Sequence, residues 1–188
     1  MSINAKSPQA ARKRLLVTAR RLFVEKGVPN TGINQVIDEA GVARMTLYNH
    51  FPSKDDLVAA VFEEEAAQRR ATILSTQKLL DGPFEKVMAL FTVALDLAGY
   101  EGFRGCAFLN LAIETAAPDS ALHAVARNHK DWILRNIADS LPDELFDRPQ
   151  DLARQVLVLW DGGVVGAYIH QSERPIEDAR DAARKLMR

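Results

Sequence analysis

Apolar residues recur along most of this chain at spacings of three and four, and no sustained alternation of apolar and polar positions interrupts them. Such a period places apolar side chains on one face of a helix, whereas a half-buried strand alternates with a period of two. Glycine and proline then divide the second half of the chain into segments of helical length, at Gly82-Pro83, Gly102 to Gly105, Pro118, Pro142 and Pro149. The pattern predicts an all-α protein of about nine helices.

The first two helices are predicted by their ends. Ser7-Pro8 has the form of a cap followed by a first-turn proline, and the apolar stripe that follows it stops at Gly27. A second, short helix ends at Gly41 and carries an inward apolar set, Ile33, Val36, Ile37 and Ala40.

The third helix is predicted from about Ala43 to His50, because Pro52 disfavours helical geometry in the residue before it. Ser53 then caps a long fourth helix, with Asp56 in the position of a capping-box acid. We expect a first domain over residues 1–53 and a second domain over residues 54–188, with the fourth helix as the connector.

Charge is distributed unevenly. Residues 1–54 contain nine Lys and Arg against three acids, a net charge of +6, and the remainder carries 15 bases and 22 acids, a net charge of -7. The N-terminal part therefore suits a polyanion such as DNA, although the overall charge is -1.

Other classes of protein have little support in the sequence. No apolar leader or run of eighteen apolar residues occurs, so we expect a cytoplasmic protein with no membrane partner. His123 and His129 are six residues apart and do not share a helical face, and Cys106 is the one cysteine, so no metal site or cofactor is predicted. No phosphate-cradling loop or nucleophile elbow is present, and we expect no enzymatic activity.

Two short helices around a glycine-containing turn, over residues 31–54 (TGINQVIDEAGVARMTLYNHFPSK), form a helix-turn-helix. The segment resembles the TetR family signature in its initial Thr, its Ala-Gly-Val turn, Thr-Leu-Tyr, the His-Phe pair and a Lys that opens the next helix. The resemblance covers about residues 10–60. It implies a three-helix DNA-binding domain followed by a helical domain that dimerises and binds an effector.

Helical geometry separates the residues of the third helix into two faces. Leu47 and Phe51 share one face and are predicted to pack inward, and Met45, Thr46, Tyr48 and Asn49 lie away from it. Thr46 has the chemistry to bond a base edge, Met45 can touch a thymine methyl group, and Arg44 has the reach for a guanine or a phosphate. We expect base reading from Arg44, Met45, Thr46 and Asn49.

The resemblance assigns DNA backbone contacts to the positions of Thr31, Tyr48, His50 and Lys54. Such contacts orient a protein on DNA without encoding sequence. Cations in the opening turns of a helix oppose its dipole, so a phosphate is also expected near Arg12, Lys13 and Arg14.

The C-terminal half carries weaker signals. Residues 102–114 (GFRGCAFLNLAIE) resemble a segment of one branch of the family that opens the sixth helix near the effector pocket. We expect an apolar pocket with a few polar groups, lined by Phe103, Cys106, Asn110, Glu114, Trp132 and Trp160, although aromatic residues at helical spacing are more often core. Cys106 beside Arg104 is either buried packing or a thiol sensor whose thiolate the cation stabilises.

The family resemblance also implies a homodimer through the eighth helix, about residues 150–170, and the ninth, about residues 175–187. The small residues Gly162, Gly163, Gly166 and Ala167 permit helices to approach closely there. The sequence thus predicts a regulator, repressor rather than activator by family habit, that binds a palindromic operator and is released by a small apolar or amphipathic effector. A ligand-independent architectural DNA-binding protein, or a helical ligand-binding protein with a vestigial helix-turn-helix, remain as alternatives.

Overall fold

A computed structural model describes residues 8–115 and 117–188, and over those residues every regular element is a helix. The prediction of an all-α fold of about nine helices is confirmed. The described helices are α1 Pro8–Lys26, α2 Ile33–Ala40, α3 Arg44–His50, α4 Lys54–Gln77, α5 Pro83–Ala98, α6 Ala107–Glu114, α7 Ala121–Asp139, α8 Pro149–His170 and α9 Arg174–Leu186.

The helix-turn-helix has the ends that its sequence predicts. α1 buries the expected stripe from Leu15 to Phe23 and ends at Gly27, whose φ of +83° favours glycine. The predicted cap Ser7 lies outside the described residues. α2 ends in a left-handed Gly41, whose N–H donates to the carbonyl oxygen of Asp38, and the chain turns there into α3.

α4 begins with the predicted capping box. The Ser53 hydroxyl accepts a hydrogen bond from the Asp56 N–H at 3.1 Å, and the Asp56 carboxylate accepts one from the Ser53 N–H at 2.9 Å. Two backbone N–H groups that a helix start leaves without intrahelical partners are satisfied in this way.

The chain forms two compact units. We name residues 8–66 together with Ala107–Ala126 the N-terminal unit, and Ala67–Cys106 together with Arg127–Arg188 the C-terminal unit. The division falls within α4, and α6 belongs to the N-terminal unit, where it contacts α4 and the turn between α1 and α2. The expected domain boundary at residue 53 stays a prediction. Phe108 of α6 is buried and contacts Phe62 of α4 edge-on, with ring centroids 5.8 Å apart.

In the C-terminal unit, α8 packs closely against α9. A Cβ built on Gly163 would lie 2.9 Å from the Ala179 Cβ, and one on Gly166 would lie 2.8 Å from the Pro175 Cβ. These two glycines therefore serve contact within the chain rather than between chains. Gly162 faces open space instead, with nothing within 4 Å of its position.

Candidate nucleic-acid interface and effector residues

α3 presents one buried and one open face. Leu47 and Phe51 are buried and anchor the helix, whereas Met45 is 68% exposed and Tyr48 is 37% exposed. Arg44 and Asn49 are also exposed, and Thr46 and His50 are half-buried. The side chains expected to reach DNA bases thus lie on the open side of α3.

Arg44 is connected to α2. Its guanidinium donates a hydrogen bond to the Asn34 side-chain oxygen at 2.7 Å, and both residues are exposed. A side chain with this contact has fewer orientations to lose on binding a base. Asn34 was not among the residues singled out from the sequence, because a lone Asn on a helix surface carries no signal.

Lys54 opens α4 and is half-buried. Its ammonium group donates to the Val28 carbonyl oxygen at 2.7 Å, in the turn between α1 and α2. An ammonium has three donors, so this bond occupies one and leaves others to reach a phosphate. Lys54 therefore supports the helix-turn-helix in addition to any contact with DNA.

Thr31 differs from its expected role. Its side chain is fully buried, and its hydroxyl donates to the Gly27 carbonyl oxygen at 2.8 Å and lies 3.3 Å from that of Leu22. A hydroxyl held in this way cannot reach a phosphate without opening the core. The Thr31 side chain therefore has a structural role in the turn, and the DNA backbone contact expected at this position stays a prediction.

Part of the positive charge of the first helix is paired within the protein. Arg12 pairs with Glu64 at 3.3 Å and lies over the Phe51 ring, and Arg20 pairs with Glu65 at 2.6 Å. The Arg14 guanidinium donates to the Ala40 carbonyl oxygen at 3.2 Å. The N-terminal unit therefore offers DNA less positive charge than the sequence count suggests.

Glu39 shows the same internal pairing on the surface of the helix-turn-helix. Its carboxylate accepts from the Gln35 amide at 2.8 Å and contacts the Arg21 guanidinium, and these two bonds lower its pKa. Arg21 also pairs with Glu25 at 2.8 Å, so it bridges two carboxylates.

The two tryptophans expected to line the effector pocket have contacts of their own. Trp160 is buried, and its indole N–H donates to the Leu90 carbonyl oxygen at 3.2 Å, while the Lys130 ammonium lies 4.7 Å from its ring centroid. Trp132 lies against the Arg70 guanidinium at 5.4 Å. These contacts give Trp160 a structural role, as expected of a bonded indole in a core.

Phe103, one of the expected effector residues, lines a cleft. The cleft has a volume of about 460 Å³ and lies in the C-terminal unit, between the residues after α5 and the α8–α9 turn. Its lining combines aromatic and acidic side chains, Tyr100, Phe103, Tyr168, Glu101 and Glu173. Cys106, three residues after Phe103, is buried, and its role as a sensor stays a prediction.

Asn110 and Glu114 belong to α6 and hence to the N-terminal unit. The Glu114 carboxylate accepts a hydrogen bond from the Val28 N–H at 2.9 Å, a contact across 86 positions of sequence. Glu114 thus contacts the helix-turn-helix, and its expected role as an effector ligand stays a prediction. No local pattern in the sequence could have identified this contact, because the two residues meet only in the folded unit.

Comparison with known proteins places these features in a family. Residues 15–61 match the family model described as bacterial regulatory proteins, tetR family. The chain is 30% identical over 125 residues to the HTH-type transcriptional regulator LmrA of Bacillus subtilis (strain 168), which is 65% of this chain and 66% of LmrA. It is 32% identical over 92 residues to the HTH-type transcriptional repressor KstR2 of Mycolicibacterium smegmatis, which is 47% of this chain and 43% of KstR2.

The likeness to a solved structure extends further along the chain. The crystal structure of SCO4454, a TetR-family transcriptional regulator from Streptomyces coelicolor, superposes with a TM-score of 0.89 at 30% identity. The match covers 97% of this chain and 91% of that one. Among the helices of residues 8–115 and 117–188, none contains an apolar stretch that could span a lipid bilayer.

Proposed function

Because this chain belongs to the TetR family of DNA-binding transcriptional regulators, we propose that it is a ligand-responsive repressor that binds a palindromic operator as a homodimer. The observation that carries the proposal is the open face of α3, where Met45 is 68% exposed beside the buried Leu47. A helix of this kind enters the major groove, whose width admits it.

The side chains of α3 divide into two roles. Arg44, Met45, Thr46 and Asn49 read base edges, because they project from the open side and combine hydrogen-bonding groups with an apolar contact for a thymine methyl. Tyr48, His50 and Lys54 hold phosphates and set the orientation of α3 in the groove.

The homodimer forms through α8 and α9. Val158, Gly162, Val165 and Ile169 follow one another at spacings of four, three and four, so they share one face of α8. Val158 and Ile169 are more than 60% exposed, and Gly162 has open space around it. A second copy buries these apolar side chains and approaches closely at Gly162.

Control of operator binding by the effector depends on the spacing of the two recognition helices. In the dimer they enter successive major grooves about 34 Å apart, and an effector that favours another spacing releases the DNA. About 1.4 kcal/mol of differential affinity shifts that equilibrium tenfold, and a near-complete switch needs about 5.5 kcal/mol. The assignment as a repressor is supported by the similarity to KstR2, which is a transcriptional repressor.

An effector site is supported by the cleft that Phe103 lines. Its volume of about 460 Å³ suits a small molecule, and its aromatic and polar side chains suit an amphipathic one. Thermal stabilisation of the purified protein by such compounds tests this part of the proposal, since a ligand-independent architectural protein would show none.

Selection of genomic DNA fragments by the purified protein at near-physiological salt, followed by sequencing, tests the operator proposal. A two-fold-symmetric motif among the retained fragments is the expected result. Retention that is sensitive to salt but blind to sequence would contradict it and favour an architectural protein.

A further inference from the structure

The turn between α1 and α2 is bonded by side chains from three separate parts of the sequence. Glu114, the last residue of α6, accepts from the Val28 N–H at 2.9 Å, and Lys54 donates to the Val28 carbonyl oxygen at 2.7 Å. Thr31 donates to the Gly27 carbonyl oxygen at 2.8 Å. The turn that leads into α2 is thus fixed by α4 and α6 as well as by its own residues.

The absence of a side chain at Gly27 leaves room for the Glu114 carboxylate. A Cβ at this position would lie 2.9 Å from the Glu114 Oε1, which is closer than such atoms normally approach. The φ of +83° also favours glycine there. The missing side chain lets one carboxylate oxygen lie against Gly27 while the other accepts from the next N–H.

α6 reaches this turn from a packed position. Its residues Phe108 and Leu111 are buried, and the Phe108 ring contacts Phe62 of α4. α6 therefore has an apolar anchor in the N-terminal unit and a charged contact at its end.

We propose that Glu114 is a positioning residue for DNA binding: it holds the α1–α2 turn, and through that turn sets the orientation in which α2 and α3 meet the operator. The inference rests on the proposed operator binding. It adds α6, which lies outside the helix-turn-helix sequence, to the elements that determine operator affinity.

Three variants distinguish a positioning role of Glu114 from the effect of its negative charge on DNA binding. Glu114→Ala removes the hydrogen bond, Glu114→Gln keeps an acceptor oxygen without the charge, and Glu63→Ala removes the charge of another exposed glutamate of the same unit. By charge alone, all three strengthen binding to a polyanion. If Glu114 positions the turn, Glu114→Ala is the one variant of the three that weakens binding to the operator.

Binding is measured on the genomic fragment that the wild type retains best and on a scrambled duplex of the same composition. We expect Glu114→Ala to raise Kd for the selected fragment about tenfold, with little change for the scrambled duplex and an unchanged salt slope. Glu114→Gln is expected to bind the fragment at least as tightly as the wild type. The proposal would be overturned if Glu114→Ala had the same Kd for the fragment as Glu63→Ala. It would also be overturned if Glu114→Gln bound the fragment as weakly as Glu114→Ala does.

Amide hydrogen exchange at Val28 tests the contact without DNA. We expect faster exchange in Glu114→Ala than in Glu114→Gln, with circular dichroism showing that both variants remain helical. Equal rates in the two variants would refute the positioning role. If the wild type selects no fragment at all, operator binding fails, and the exchange rates still decide whether Glu114 holds the turn.

Discussion

His129 of α7 is a buried histidine in cationic surroundings. It is 2% exposed, and burial, followed by the positive charges of Lys130, Arg69 and Arg70, lowers its pKa to about 3. The imidazole is therefore neutral in the folded protein at physiological pH. The unfolded chain, in which a histidine has a pKa near 6.5, takes up a proton first as the pH falls.

We expect His129 to make the folded state less stable in acid. This histidine leaves the free energy of unfolding unchanged above pH 6.5. As the pH falls from 6.5 toward 3, the free energy of unfolding decreases by about 1.4 kcal/mol per pH unit. Urea unfolding at several pH values should show a shallower loss of stability in His129→Gln than in the wild type. His170→Gln, at an exposed histidine, is the matched control and should keep the wild-type slope.

Arg44 and Lys54 offer a test of the division between reading and anchoring. Arg44→Ala should relax base preference at one operator position, and Lys54→Ala should weaken binding to all sequences and reduce the salt slope by about one unit. Binding to operator variants over a range of salt concentrations measures both effects. A Lys54→Ala protein with an unchanged salt slope would mean that Lys54 acts through its bond to Val28 alone.

At the scale of elements, substitution by alanine should affect the free energy of unfolding differently at the adjacent glycines Gly162 and Gly163 of α8. Gly163→Ala places a methyl group against Ala179 of α9 and should lower the free energy of unfolding by about 1–3 kcal/mol. Gly162→Ala meets nothing within 4 Å in its own chain. Measured together with Ile169→Asp, which removes the proposed dimer contact at Gly162, it should leave the free energy of unfolding unchanged or raise it by up to about 1 kcal/mol, because alanine favours a helix. Denaturation of both variants at one protein concentration makes the comparison, and equal stabilities would contradict it.

The ends of the helices were predictable because their signals are local. Gly27 and Gly41 stop helices through their own backbone conformation, and Ser53 with Asp56 caps α4 over three residues. The inward face of α3 follows from the helical period, which placed Leu47 correctly.

The contacts of the expected effector residues were not predictable in this way. Their contacts join distant positions, as when Trp160 bonds Leu90 across 70 residues or Glu114 bonds Val28 across 86. A helical period tells which side chains face inward, but it does not tell whether an inward face meets a cavity, a backbone group or another helix.

At the scale of the whole molecule, the proposed dimer depends on apolar side chains that a single chain leaves in solvent. Ile169 is 66% exposed on α8, and an aspartate there would place a charge in the interface. We expect Ile169→Asp to sediment as a monomer at micromolar concentration, where the wild type is a dimer. Leu79→Asp is the control, because Leu79 is 84% exposed just beyond α4 and outside the proposed interface. A wild type that is itself monomeric would contradict the dimer.

The contact between Glu114 and Gly27 also bears on how this protein can evolve. A side chain at position 27 would meet the Glu114 carboxylate, which lies at the end of a flexible side chain and would have to turn away. Asn, which tolerates a left-handed backbone, is therefore expected at 27 only where the bond between Glu114 and Val28 is given up. The two positions, although far apart in sequence, should covary among descendants of this protein, with glycine at 27 wherever that bond is kept.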